Sequence, residues 1–597
     1  MKKNFEYLTR LRQVMAEQKV DVVIISGTDP HQSENPPHHW RDREWITGFW
    51  STNGTNGTAV VLQDQAYCWT DSRYFIQAEE QLADTGFKMM KEDGPEAIDL
   101  IGWITQNVAE GSTVAIDGMT FSTSLANKIQ SELHAANLKF ATDFAPFDII
   151  NPERPKRPLN KLFVHDEKIV GETVDSKVNR VIEQVVSEGA EAIIMASLDD
   201  IAWTTNLRTA NDISYSPMFV SYVFLSNGQR ILFIDDEKLT DEVKAHLNKY
   251  NFEIKPYDAV LDFIASLPES TRLLVDPDKV SRGLFDKVGC NAVFGGTKVA
   301  KLKSIKNDSM LRSIDTAMEK DGVALTRFFM MVERDHPKGE LTELILSERL
   351  REIRLSDPSC VDESFASILG FKEHGAIIHY EATEESNIPV VGDGLLLVDS
   401  GGQYIYGTTD ITRTVALGTP TAEEIHDYTL VLKGHIAIAN AVFPEGTTGH
   451  QLDAMARQYL WKEGKAYYHG TGHGIGFFIN CHEGPQSIRL NINPTPLEVG
   501  MATSNEPGVY YEGKYGIRTE NIIITVPAME TEFGKFFKFK TVTLFPYDSR
   551  LIDTSIMSDD EIQWVNNYHK MVRERLTPLL NAEEAAWMET KTQPLKR

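Results

Sequence analysis

Cysteine is scarce in this chain: four residues in 597, at Cys68, Cys290, Cys360 and Cys481, with no CxxC pair among them. That argues against a disulfide framework and a cysteine-type zinc site, and it suits a reducing compartment. Basic charge is also in deficit. Lys and Arg number 60 against 86 Asp and Glu, a net charge of −26. A broad nucleic-acid or anionic-membrane surface needs clustered Lys and Arg, so neither kind of partner is expected. Long apolar runs are missing as well, since none approaches the ~20 residues that span a bilayer. The N-terminal MKKNFEYLTRLRQVMAEQKV has no apolar core before Glu6 and Arg10 interrupt it. It reads as an amphipathic helix and not as a signal peptide, and a cytoplasmic protein is expected.

What the chain does have is the composition of a globular protein, 42% hydrophobic and 24% charged, at a length that calls for three or four cores. Two segments of the first half follow one plan. DVVIISGTDP, WITGF, the strand-like TAVVL and AYCWTD, and the helical SRYFIQAEEQLADTG come first. EAIIMASLDD, WTTNL, FVSYVFLSNGQRILFIDD and EKLTDEVKAHLNKY repeat that order, aligning Asp29 with Asp199, Trp45 with Trp203 and Trp69 with Phe233. Duplicated α/β domains are expected, with a boundary in the Pro- and charge-rich FDIINPERPKRPLNK. A third region opens with the helical DSMLRSIDTAMEKDGVALTRFFMMVERDH and then alternates strand signals (ASILGF, GAIIHY, LLLVDS) with helices. A tail from about Asp548 reads as an appendage packed on this third domain.

The third region carries the chemistry. Asp399 closes the apolar run GLLLV, and Asp410 follows across SGGQYIYGTT; a hairpin would bring both carboxylates to one site. A carboxylate ending a buried strand is costly unless it is paired or metal-bound. His473 stands in YYHGTGHGIGF, four residues after His469. Gly470, Gly472, Gly474 and Gly476 would break a helix, so this is no helical HExxH pair. His482 in NCHEGP and His379 in GAIIHY, placed at a strand end, add further imidazoles. Glu506 precedes the turn signal Pro507-Gly508. Glu520 in GIRTENIIITV shares a strand face with Arg518, which is its salt-bridge alternative to a metal. Four carboxylates and one imidazole are a ligand inventory for two divalent cations. Such ions, about 3.5–4 Å apart, hold and activate a water and polarise a carbonyl.

In the order Asp399, Asp410, His473, Glu506, Glu520, the region resembles the pita-bread-fold metallopeptidases. The strings DPHQSE, WTDSRYFIQAEEQ, LDDIAWTTNLR, HGTGHGIG, NEPGVYYEGKYGIRTEN and EIQWVNNYH extend the likeness to the long three-domain aminopeptidase P type. The resemblance implies two creatinase-like N-terminal α/β domains (1–154 and 155–307) and a pita-bread catalytic domain (308–597) that includes the C-terminal extension from about 548. It implies that Asp399 holds one metal and His473 the other, that Asp410 and Glu520 bridge both, and that Glu506 completes the His-bound shell and shuttles a proton. His379 and His482 would bind the substrate amide and the oxyanion, and His469 would seat the proline.

The implied activity is release of the N-terminal residue from peptides with proline second, by hydroxide attack at a dinuclear manganese centre in a homodimer. Prolidase activity on Xaa-Pro dipeptides and a catalytically silent binding module are the alternatives. The chain departs from the family pattern at Cys481, where Val is common, and in the elaborate NPPHHWRDREW and GFWSTNGTNGTA. Neither departure is expected to touch a ligand.

Overall fold

The computed structural model describes residues 3–51, 54–296 and 298–597. Met1 and Lys2 of MKKNFEYLTRLRQVMAEQKV and Thr52 and Asn53 of GFWSTNGTNGTA lie outside the described residues. Two compact units emerge: Met1–His165, Glu172–Ser214 and Met218–Val299 form one, and Asp166–Gly171, Tyr215–Pro217 and Ala300–Arg597 the other.

The first unit contains the expected duplication. One six-stranded sheet runs Lys88–Lys91, Ala66–Thr70, Thr58–Leu62, Val22–Ile25, Thr113–Ile116, Lys139–Ala141. The other runs Glu253–Lys255, Arg230–Phe233, Tyr222–Ser226, Ala192–Met195, Arg272–Val275, Asn291–Phe294. Strand directions agree pair by pair, antiparallel at the two junctions beside the first strand's hairpin and parallel elsewhere. Trp69 lies opposite Thr58 and Phe233 opposite Tyr222, each partner the first residue of its strand, so the two aromatics are equivalent positions. Trp45 and Trp203 both sit on the helix between the first and second strands, Asp42–Thr47 and Leu198–Thr205. The strands VVII and AIIM are buried along their whole length because helices cover both sheet faces. Helix Val174–Ser187 shows how: Thr173 caps it by accepting from the Ser176 N–H, and Val174, Val178, Val181 and Val185 form its buried stripe.

In the second unit, the 28-residue helix Asp308–Asp335 follows the expected periodicity. A six-stranded sheet runs Val442–Pro444, Gly534–Thr541, Asn521–Thr531, Ala502–Asn505, Gly472–Ile475, His482–Ile488. A three-stranded sheet has Gly394–Ser400 at its centre, between Ile368–Phe371 and Ile411–Leu417. Helices Ala422–Ala439 and Gly449–Trp461 pack so closely that a Cβ on Gly434 would stand 2.2 Å from the Ala456 carbonyl oxygen. Val565, Tyr568, Val572 and Leu576 of helix Asp559–Leu576 are buried in the same core as these sheets.

Two expectations fail locally. GAIIHY is not a strand: the chain forms a 3-10 helix, Lys372–Ala376, and then a turn, so His379 lies on a turn. Its Gly375 is pressed against Gly516, whose own Cβ would stand 1.7 Å from the Gly375 carbonyl oxygen. That close backbone crossing leaves no room for a ladder. Arg518 and Glu520 also do not share one strand, because Tyr515–Arg518 ends before Asn521–Thr531 begins. Among the described residues no helix is long and apolar enough to cross a membrane.

Candidate metal centre

The centre grows out of the three-stranded sheet. Gly394–Ser400 and Ile411–Leu417 pair antiparallel with Asp399 opposite Thr412 and Ser400 opposite Ile411, so Asp410 sits just past the last rung. The sequence-derived hairpin is thus present, and its two carboxylates share one pocket. Strand Gly472–Ile475 brings His473, whose Nε2 lies 3.4 Å from Asp410 Oδ2 and 3.5 Å from Glu506 Oε1. Glu506 follows strand Ala502–Asn505 and is steadied by its backbone N–H to the Thr471 carbonyl and by the Ser504 hydroxyl donating to Oε1 at 3.1 Å. Glu520, in the break between strands, accepts from Thr412 Oγ1 at 2.8 Å. One ligand atom each from Asp410, His473 and Glu520 lie within 4.8 Å of one another.

The electrostatics are those of acids crowded out of water. Burial pushes the Glu520 carboxyl well above its usual range, and Asp410, Glu506 and Asp399 add to the shift. Burial raises Glu506 to about 7, with His473 pulling the other way. Asp399 is raised by burial against the opposing charge of Arg518. Asp410 alone is lowered: burial opposes ionisation, but the hydrogen bond from His473 and the charges of His473 and His482 outweigh it. Arg518 donates from Nε to Asp399 Oδ2 at 3.0 Å. Asp399 Oδ1 is buried without a hydrogen-bond partner. Four crowded carboxylates, of which Arg518 pairs with Asp399, and a bare carboxylate oxygen fit a site built for cations with oxygen and imidazole donors.

Three further imidazoles connect to these residues, directly or through Arg518. The His482 ring stands edge-on to His473, with centroids 4.4 Å apart. His469 donates from Nδ1 to the Gly470 carbonyl at 2.7 Å, which leaves Nε2 to accept from the Tyr510 hydroxyl at 2.9 Å. Tyr510 in turn accepts from Arg518 Nη1 at 2.8 Å. Half-buried His379 follows Ile378, whose carbonyl accepts from Arg518 Nη2 at 3.3 Å. Arg518 therefore ties Asp399, the His469 loop and the His379 turn together.

Comparison with known proteins places this geometry. Residues 312–527 match the model of metallopeptidase family M24. Over 99% of its length the chain is 37% identical to Aminopeptidase P2 of Arabidopsis thaliana, covering 89% of that protein. The chain belongs to metallopeptidase family M24. Its residues 8–147 and 153–309 each match a Creatinase/Prolidase N-terminal domain, and 535–595 match the C-terminal region of M24 peptidases. The fold is accordingly two creatinase-like α/β domains and a pita-bread catalytic domain. Xaa-Pro aminopeptidase 1 of Dictyostelium discoideum is 34% identical over 98% of this chain and 96% of its own. The crystal structure of X-prolyl aminopeptidase from Caenorhabditis elegans, described as a cytosolic enzyme with a di-nuclear active site, matches with TM-score 0.94, 31% identity and full coverage of both chains. Xaa-Pro dipeptidase from Bacillus anthracis shares the fold at TM-score 0.52 and 23% identity, over 63% of this chain and 99% of its own.

Within this M24 site the structure also revises the sequence reading. Arg518, the salt-bridge alternative to a metal at Glu520, pairs with Asp399. Cys481 was expected to touch no ligand candidate, yet its thiol donates to Asp410 Oδ2 at 3.2 Å. Sequence reasoning missed Thr412, Tyr510 and the buried pair Asp453 and Arg457, whose guanidinium donates to the His469 carbonyl at 2.8 Å while Asp453 accepts from Thr471 at 2.6 Å. The signal available for that pair was its i, i+4 spacing on a helix just ahead of the glycine-rich run.

Proposed function

We propose that this M24 peptidase releases the N-terminal residue from peptides with proline in second position, and that it does so with two divalent metal ions. The observation that carries the reading is the crowding of Asp399, Asp410, His473, Glu506 and Glu520 at one place in the catalytic unit. Full-length similarity to proteins named for Xaa-Pro cleavage supports the substrate class.

Asp399 and His473 would each hold an ion, and Asp410, Glu506 and Glu520 would supply the remaining carboxylate ligands. When bound, the metals supply Lewis acidity, lowering the pKa of water and polarising the scissile carbonyl. Glu506 takes the proton released by the attacking water and passes it to the imino nitrogen, which must gain a proton to leave as an amine. His379 and His482 donate to the substrate amide and to the oxyanion that forms as the carbonyl becomes tetrahedral. The proline nitrogen of the scissile bond carries no N–H, so recognition on that side rests on ring contacts, and His469, held by Tyr510, seats the proline.

Manganese is the metal we propose, in keeping with carboxylate-rich ligation. Domain limits of 1–154, 155–307 and 308–597 and a cytoplasmic location belong to the same reading. So does a homodimer. The test is a rate comparison on Gly-Pro and Gly-Pro-Xaa with manganese-loaded enzyme. Cleavage of the tripeptide and little of the dipeptide is expected; the reverse preference would make the protein a prolidase.

A further inference from the structure

Resting on the aminopeptidase reading, we propose that Glu343 is the positioning residue that carries His379 into the site. Glu343 opens helix Glu343–Leu355, capped by Thr342, and is fully buried. Its carboxylate holds both ends of the segment that bears His379. Oε1 accepts the Phe371 N–H at 2.8 Å, where strand Ile368–Phe371 ends. Oε2 accepts the Tyr380 hydroxyl at 2.7 Å, one residue beyond His379. Between them His374 Nδ1 donates to Oε2 at 2.9 Å and to Oε1 at 3.1 Å, its ring packed 4.4 Å from that of Tyr380.

The other face of the segment is pinned by the Gly375–Gly516 crossing and by Arg518 on the Ile378 carbonyl. A ten-residue excursion with no ladder of its own is thus fixed from two sides. On the buried side, one carboxylate takes hydrogen bonds from three of its residues. Three donors converge on two oxygens, a demand only a carboxylate meets, since an amide has one acceptor oxygen and would turn its NH2 toward either Tyr380 or the Phe371 N–H. A carboxylate left in a dry interior without these donors would be costly, so the donors and the loop conformation are held together.

The test is a double-variant cycle in metal-loaded, full-length enzyme on a Gly-Pro-Xaa peptide. Glu343→Gln is expected to lower kcat/KM by about ten- to a hundredfold, the cost of a displaced group, with bound metal unchanged. In a His379→Ala background the same substitution should cost less than about twofold, because the group it positions is gone. Tyr380→Phe, which removes one donor and keeps the ring, should give a smaller loss that also disappears without His379. Losses that multiply in the double variants, or wild-type kcat/KM in Glu343→Gln, would overturn the proposal.

Amide exchange over residues 371–380 reads the same claim without activity. Faster exchange confined to that segment in Glu343→Gln supports it, and unchanged exchange overturns it. A wild-type enzyme inactive on every Xaa-Pro peptide would count against the aminopeptidase reading and leave the exchange result to decide the role of Glu343.

Discussion

Single residues decide how the acids of the centre are tolerated. Arg518 is 2% exposed and reaches Asp399, Tyr510 and the Ile378 carbonyl, so its removal strands a buried carboxylate and loosens two loops. Arg518→Gln is expected to destabilise the metal-free protein by roughly 3–5 kcal/mol, the cost of breaking a buried pair from one side; urea unfolding after chelation measures it. A second residue-scale prediction concerns His435. It donates from Nδ1 to the Asn505 carbonyl at 3.0 Å and accepts at Nε2 from the Tyr547 hydroxyl at 3.0 Å, so the folded state needs it neutral. Burial, and then Arg413, press its pKa from 6.5 down to about 3. Its contribution is complete above 6.5 and is lost as pH falls from there toward 3, because the unfolded chain takes up the proton first. Unfolding free energies measured between pH 7 and 4 should therefore drop with acid, and His435→Asn should flatten part of that slope. A variant with the wild-type slope would show that His435 is not the group responsible. At this scale the sequence exposed residue types but not partners: Asp399 and Arg518 find each other across 119 positions, a distance at which local pattern carries no information.

Elements were more legible. The duplicated sheets were readable because buried parallel strands appear as continuous apolar runs and their helices as 3.6-residue stripes, both local signals. GAIIHY misled because two isoleucines favour a strand in isolation. The tertiary fold overrides that preference, because Gly375 is spent on the close backbone crossing with Gly516. That crossing makes its own prediction. Gly516→Ala places a methyl 1.7 Å from the Gly375 oxygen, so one backbone must move. We expect a loss of about 1–3 kcal/mol, the usual range for overpacking, together with at least a tenfold fall in kcat/KM, of the order expected for a misplaced binding group. Gly228→Ala serves as the control, since no atom lies within 4 Å of its added methyl and its φ lies outside the left-handed region. Thermal unfolding and kinetics on the two variants separate the clash from a general cost of replacing glycine.

For the whole molecule, the catalytic unit is held partly by what it binds. Asp399, Asp410, Glu506 and Glu520 repel one another in a buried pocket, so cations that bind the folded state alone stabilise it by mass action. Free manganese at a hundredfold above its Kd is expected to add about 2.7 kcal/mol, visible as a rise in Tm over the chelated protein. Asp410→Ala combined with Glu520→Ala should abolish that rise; a rise that persisted would place the stabilising ion elsewhere.

The sequence by itself determined the apolar runs and helical stripes of the domains, the five ligand-type residues in order, and the scarcity of cysteine and basic charge. Each of these is a property of residues near one another in the chain. Tertiary structure alone decided that Arg518 neutralises Asp399, that Cys481 touches Asp410, and that His379 rides on a turn buttressed by Glu343. Those choices depend on which buried donor reaches which acceptor once water is excluded, and only the packed chain sets those distances.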